Sequence, residues 1–257
     1  MSQLTFHQFI CRSDNYGVLV HDSKTGQTVS IDAPDSAEIE GQLKQRGWHL
    51  THIFTTHHHG DHVEGNAALK AAYGCEIIGP AAEADRIPGM TKPVSGGDSF
   101  SWADHQIHVL ACPGHTKGHI AYHMPAAQVV FAGDTLFSLG CGRVFEGTLA
   151  EMAAAVHQFT SLPPETRLYC GHEYTQSNAR FALSVEPGNK ALQRRAAEVD
   201  QLRARAEMTC PSTIGLELET NPFLRTGNLE IRQSLDLAHA SDSEVFAELR
   251  RRKDGFR

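Results

Sequence analysis

The segment Thr56-His57-His58-His59-Gly60-Asp61-His62 packs five potential metal-binding side chains into six consecutive positions. Neutral imidazoles and a carboxylate are the donors that hold zinc and similar first-row metals, so the pattern H-x-H-x-D-H reads as a metal motif. Alternate histidines of an extended loop, His57 and His59, can converge on one ion. Asp61 and His62 follow closely enough to serve a neighbouring second ion. The run is internal, carries an aspartate and lies between two regular elements, which separates it from a solvated histidine tract or a tag.

Three more candidates stand at the ends of predicted strands. They are His115 in Cys112-Pro113-Gly114-His115-Thr116, Asp134 in Phe131-Ala132-Gly133-Asp134-Thr135, and His172 in Cys170-Gly171-His172-Glu173. A glycine directly precedes each ligand and permits a tight turn and a close backbone approach.

These loops need a scaffold, and the apolar pattern supplies one. Runs rich in β-branched residues near 3–10, 16–21 and 27–32 predict strands, and Asp35 to Arg46 predicts a helix stopped by Gly47. The run Leu50–Phe54 predicts the strand (50–55) that delivers the histidine loop; a helix over 63–73 follows it, stopped by Gly74, and then a short strand over 76–78. A hairpin is expected over 100–111, with its turn at Ala103-Asp104, then strands at 119–124 and 127–132. Thr148-Leu149-Ala150-Glu151 is a capping box opening a helix to about Phe159, and Arg167 to Cys170 reads as a last strand. From about 175 the chain reads helical, with a long segment over 189–208 and a final helix opened by the box Ser241-Asp242-Ser243-Glu244. The domain boundary is placed at 173, giving a mixed domain over 1–173 and a helical one over 174–257.

Composition narrows the function classes. A chain of 257 residues with net charge −7 and no basic stripe is not expected to bind nucleic acid or an anionic membrane. Residues 1–173 carry 10 basic and 18 acidic side chains; residues 174–257 carry 13 and 12 and include the cluster Arg250-Arg251-Arg252-Lys253. The N-terminal sequence shows no signal-peptide pattern, and no apolar run reaches membrane-spanning length. Six scattered cysteines without a C-x-x-C pair fit free thiols in a reducing cytoplasm.

Taken in order, His57, His59, Asp61, His62, His115, Asp134 and His172 resemble the ligand set of the metallo-β-lactamase superfamily. That resemblance implies an α+β fold, the αββα sandwich, here with a C-terminal helical domain. It also implies two divalent metal ions, with zinc expected first and iron or manganese also accepted by such donors. One ion would take His57, His59 and His115, and the other Asp61, His62 and His172. Asp134 would bridge both, and Asp61 and Asp134 would be the catalytic carboxylates. Four further segments resemble the glyoxalase II (hydroxyacylglutathione hydrolase) family over essentially the whole chain: 140–148 (G-C-G-R-V-F-E-G-T), 171–175 (G-H-E-Y-T), 221–225 (N-P-F-L-R) and 251–254 (R-R-K-D). By that resemblance glutathione would contact Arg143, Phe145, Tyr174, Arg250 and Lys253. Many members carry Lys at the place of Arg143 and Tyr at the place of Phe145. The first change keeps the charge; the second leaves packing without a hydroxyl.

The implied reaction is hydrolysis of a glutathione thioester, chiefly S-D-lactoylglutathione, by a hydroxide held on the metals. It would be the second step of methylglyoxal detoxification, carried out by a monomer. The main rival is a one-iron glutathione-persulfide dioxygenase on the same fold, which is not expected to carry the tail motifs. A β-lactamase and an RNA-processing metal module fit the sequence less well. Among the remaining histidines, His58 is expected beside the site or exposed, and His119 and His123 are expected to be structural. No base neighbours Cys141 in sequence, so it is not expected to be a nucleophile. Arg251 and Arg252 are expected to be solvated.

Overall fold

The computed structural model describes residues 4–256, which form two compact units. The first holds the chain through Ala111 together with Gly118–Gly133; the second holds Cys112–Lys117 and the chain from Asp134 onward.

In the first unit, β1 (Leu4–Cys11), β2 (Asn15–Asp22) and β3 (Thr28–Ile31) pair antiparallel. The helix α1 (Ser36–Arg46) then carries the chain to β4 (His52–Phe54). Asp35 caps α1 by accepting from the Glu38 N–H, and Gly47 closes it in the left-handed conformation. Next come α2 (Gly60–Val63), α3 (Asn66–Tyr73), β5 (Glu76–Pro80) and β6 (Lys92–Val94). Strands β3 to β6 run parallel, completing a six-stranded sheet in sequence order. Strands β7 (Ser99–Trp102), β8 (His105–Ala111), β9 (Ile120–Met124) and β10 (Val129–Gly133) form an antiparallel meander.

Two cores hold this unit together. Ile39, Leu43 and Leu69 of the helices pack with Leu19, Ile53 and Ile77 of the first sheet. On the sheet's other face, the Phe54 ring meets Phe100 of β7 at 5.2 Å and Tyr122 of β9 at 5.2 Å, joining the two sheets by aromatic contacts.

The second unit opens with the short hairpin β11 (Leu136–Phe137) and β12 (Gly140–Cys141). It continues through α4 (Leu149–His157), β13 (Arg167–Cys170), α5 (Thr175–Val185), α6 (Lys190–Ala204), β14 (Ser212–Thr213), α7 (Ile214–Thr220), α8 (Leu229–Ser234) and α9 (Asp242–Gly255). Both predicted capping boxes form, at Thr148/Glu151 and Ser241/Glu244. Among the described residues no helix is long and apolar enough to cross a membrane.

Several sequence expectations need correction. The helix expected over 63–73 is two helices. Gly65 donates its N–H to the Ala33 carbonyl while Ala33 donates to His62, and these bonds to the β3–α1 connection interrupt the helical ladder. The helix expected to reach Phe159 leaves α geometry after His157 and ends in a 3₁₀ turn. Arg167–Cys170 is not the last strand, because β14 pairs with it. Strands β6, β11, β12 and β14 are three residues or fewer and carry too little periodicity to be read. Gln3, at the start of the first expected strand, lies outside the described residues.

Phe54 is almost fully buried, so Phe54→Ala should cost about 3–5 kcal/mol of stability. Phe145 is 62% exposed, and its replacement by Ala should stay within about 0.5 kcal/mol. Both tryptophans, Trp48 and Trp102, belong to the first unit, so their fluorescence during urea unfolding reports the first change. Equal midpoints for Phe54→Ala and the parent would refute the aromatic joint.

Candidate metal centre and substrate cavity

In the first unit the histidine loop leaves the end of β4 next to Asp32, which follows β3. The buried Asp32 carboxylate accepts from the Thr56 N–H (2.7 Å), the Thr56 hydroxyl (2.9 Å) and Nδ1 of His62 (2.9 Å). A carboxylate only accepts, so His62 carries its proton on Nδ1 and presents the Nε2 lone pair. Having donated to Asp32, the Thr56 hydroxyl accepts from Nδ1 of His57 at 3.0 Å, which gives His57 the same tautomer. One acid thus prepares two of the predicted ligands. Asn15 holds Asp61 by donating to its side chain and its backbone carbonyl, each at 3.1 Å. His58 is buried rather than exposed: its N–H and Nδ1 both bond Glu83 at 2.8 Å, and Glu83 also accepts from the Gly118 N–H. The buried His119 ring stacks on His57 at 4.7 Å.

The donor spacing suits a metal. Two nitrogens bound tetrahedrally at ~2.05 Å lie about 3.3 Å apart. His57 Nε2 is 3.1 Å from His59 Nδ1, and His62 Nε2 is 3.6 Å from Asp61 Oδ2.

Gly133, the last residue of the first unit, is left-handed (φ 50°), and a Cβ there would sit 2.7 Å from the His119 ring and the Thr56 hydroxyl; Asp134 follows it in the second unit. A single oxygen of Asp134, Oδ2, lies 3.4 Å from Nε2 of His115 and 3.3 Å from Nε2 of His172. The Arg143 carbonyl accepts from Nδ1 of His115 at 2.8 Å, which again leaves Nε2 as the donor atom. Gly142 is required beside this carboxylate, because a Cβ there would come within 1.9 Å of the Asp134 carbonyl. Each unit therefore carries imidazole and carboxylate donors at metal-type spacing.

The second unit also encloses a cavity of about 420 Å³. His115 and Asp134 line it together with all five predicted substrate contacts. Phe145 turns its ring edge toward His115 at 5.2 Å, and Tyr174 stacks on His172 at 4.8 Å with the rings parallel within 1°. Arg143 is exposed, with Asp254 at 3.9 Å. Lys253 donates to the Ser177 hydroxyl at 2.8 Å; burial, helped by the positive charges of Arg250 and Arg143, pulls its pKa down to about 8. Arg250 is only 3% exposed, and its guanidinium is engaged by Asp254 (2.8 and 3.1 Å) and the Cys141 carbonyl (2.7 Å). It lines the cavity as a brace between α9 and β12. Arg251 is solvated, as expected, and pairs with Glu248. Arg252 also donates to the Ser234 and Leu235 carbonyls and so fastens the end of α8, which the sequence did not suggest. Burial pushes the Cys141 thiol up to about 11, which keeps it protonated and poorly nucleophilic.

The profile described as Metallo-beta-lactamase superfamily matches residues 25–172, and that described as Hydroxyacylglutathione hydrolase C-terminus matches residues 173–256. The hydroxyacylglutathione hydrolase of Brucella anthropi is 58% identical over 254 residues, spanning 99% of this chain and 98% of that protein. The chain belongs to the hydroxyacylglutathione hydrolase family. Its fold is that of the metallo-β-lactamase superfamily, with the family's helical C-terminal part. The crystal structure of ETHE1 from Myxococcus xanthus shares that fold, with a TM-score of 0.66 at 23% identity over 98% of this chain and 100% of that one. A protein crystallised in a di-iron-bound form, TTHA1623, superposes with a TM-score of 0.59 at 26% identity, over 82% of this chain and 95% of that one.

Sequence reasoning missed Asp32, Glu83 and Asn15. Asp32 had a faint signal, an acid directly after a β-branched strand; an acid within Ala81-Ala82-Glu83-Ala84 has none. Because Asp32 fixes two imidazoles, Asp32→Ala should weaken binding of a divalent metal about 10- to 100-fold while the fold survives. Competition with a chromogenic chelator, checked by circular dichroism, measures this. Unchanged affinity in a folded variant would show that Asp32 supports only the loop.

Proposed function

We propose that the enzyme hydrolyses S-(2-hydroxyacyl)glutathione, chiefly S-D-lactoylglutathione, to glutathione and a 2-hydroxy acid, D-lactate. This is the second step of methylglyoxal detoxification. The observation that carries the reading is the cavity whose wall combines metal-type donors, His115 and Asp134, with the cations Arg143 and Lys253. Two divalent ions would be held, one by His57, His59 and His115 and the other by Asp61, His62 and His172, with Asp134 shared. The placing of one Asp134 oxygen between two imidazole nitrogens supports that sharing. Zinc is the first choice of metal, and iron or manganese suits the same donors. When bound, the ions supply Lewis acidity toward the thioester carbonyl and make water a nucleophile near neutral pH.

The chain's own groups do the rest. Residues 1–173 bring the ligands and residues 174–257 most of the glutathione contacts. Lys253 and Arg143 offer cations to the glutathione carboxylates, while Tyr174 and Phe145 offer ring faces to its apolar parts. Phe145, lacking a hydroxyl, contributes by packing alone. The leaving thiolate belongs to a thiol of pKa ~8.5 and departs without a strong general acid, which fits a site with no extra acid in its motifs. Six buried free cysteines suit a reducing cytoplasm.

Metal-replete protein should consume the thioester of S-D-lactoylglutathione, followed by the loss of its ultraviolet absorbance. An intact thioester together with oxygen uptake on glutathione persulfide would replace this reading by the dioxygenase. The reaction should also carry the mark of Lys253. Below about pH 8 this lysine is cationic and binds a carboxylate; above it the charge is lost. Because kcat/KM reports the free enzyme, it should fall as pH rises through about 8, and Lys253→Met should lower it at neutral pH and flatten that fall. An unaltered alkaline limb in the variant would remove Lys253 from substrate binding.

A further inference from the structure

The hairpin of β11 and β12 places Phe137 and Cys141 in the cavity wall and runs directly into Gly142 and Arg143. Its turn is held in an unfavourable conformation, since Leu139 is a branched residue at φ 59°. Leu139 is fully buried in a cluster with Ala179 and Ala182 of α5 and Leu192 and Ala196 of α6. Polar side chains of the tail take up the hairpin's backbone. Asn221 donates to the Phe137 carbonyl (3.1 Å) and the Gly140 carbonyl (3.0 Å). Glu217 accepts from the Leu139 N–H (2.7 Å), the Ser138 hydroxyl (3.0 Å), the Ser212 hydroxyl and the Asn221 amide. Asn178 donates to the Ser138 carbonyl, and Arg250 to that of Cys141.

Glu217 and Asn221 are both fully buried. An apolar contact would hold two elements together as well, whereas a buried carboxylate and amide are costly unless each bond is met in one geometry. Such a network therefore specifies position. The part positioned is Phe137, whose ring stands edge-on to Tyr174 at 5.6 Å, together with Arg143 two residues past the hairpin. We propose that Glu217 and Asn221 are positioning residues for the glutathione moiety: by fixing the 136–141 hairpin they set Phe137 and Arg143 against Tyr174 and Lys253. The proposal rests on the hydrolase reading and assigns a task to the N-P-F-x-R motif that opens at Asn221.

The test uses the metal-replete full chain, with steady-state kinetics on S-D-lactoylglutathione, calorimetric binding of S-hexylglutathione and metal content. Asn221→Ala and Glu217→Ala should raise KM and weaken S-hexylglutathione ~tenfold, with kcat within about twofold and the metals retained. Glu217→Gln can keep its oxygen toward the Leu139 N–H while its amide faces hydroxyls able to turn and accept, so it should restore most of the affinity. Asn189→Ala, which removes the cap of α6, is the control and should lower Tm with KM unchanged. If the alanine variants fail to fold, Ser138→Ala removes one bond of the network and should raise KM in the same direction. Wild-type KM in folded Asn221→Ala or Ser138→Ala overturns the proposal, as does an equal KM rise in Asn189→Ala. A parent that neither hydrolyses the thioester nor binds S-hexylglutathione overturns the functional reading instead.

Discussion

The structure of the histidine loop depends on one buried carboxylate. Asp32 sits at the end of β3 in a left-handed conformation (φ 56°) and gathers two donors from Thr56 and one from His62. Imidazole binds a metal through an unprotonated nitrogen, and which nitrogen that is follows from where the other donates its proton. A carboxylate accepts only, so a single acid decides the tautomer of His62 directly and that of His57 through the Thr56 hydroxyl. The second unit solves the same problem with the Arg143 carbonyl at His115. The burial cost of Asp32 is offset only while all three donors stay in place. Protein groups alone thus hold these imidazoles in place, which reduces the ordering that opposes metal binding.

The seven candidate ligands and most regular elements were legible in the sequence, for a physical reason. Metal donors are a short list of residue types, and most helices and strands impose periods of 3.6 and 2 on their apolar positions. The capping boxes at Thr148 and Ser241 were legible because they are local, with donor and acceptor three residues apart. What escaped was non-local. Asp32 acts 24 and 30 residues away, and Glu83 25 and 35 residues away, and no spacing rule links such pairs. Two-residue strands such as β11 and β12 are defined by their partners and the side chains that bond them, and carry no pattern of their own.

Charge was the least legible quantity. The run Arg250-Arg251-Arg252-Lys253 shows four cations, but helix geometry sends them to different environments. Arg251 faces solvent, Arg252 ties down α8, Arg250 turns inward over the Phe223 ring, and Lys253 lies half-buried beside the Phe181 and Phe256 rings. Family resemblance named Arg250 and Lys253 as a pair; the structure separates their tasks. Arg250 spends its charge on Asp254 and braces β12. Among the described residues Lys253 meets hydroxyl, carbonyl and aromatic partners, with no carboxylate in contact with its ammonium.

That separation bears on how an acidic chain handles an anionic thioester. Arg143, Arg250 and Lys253 line one cavity, and burial lowers the pKa of Lys253, with repulsion from Arg250 and Arg143 adding to it. Asp254 relieves part of it by pairing with Arg250, a contact whose loss would leave a buried guanidinium short of its counter-charge. Were all three cations neutralised in this way, nothing would remain for a carboxylate to displace. Were none, the wall would disfavour its own folded position. On the proposed binding mode, with one charge compensated, one exposed and one held near its titration point, an incoming carboxylate would gain attraction from Arg143 and would also shift Lys253 toward its charged form, so that ligand binding and proton uptake at this lysine would reinforce each other.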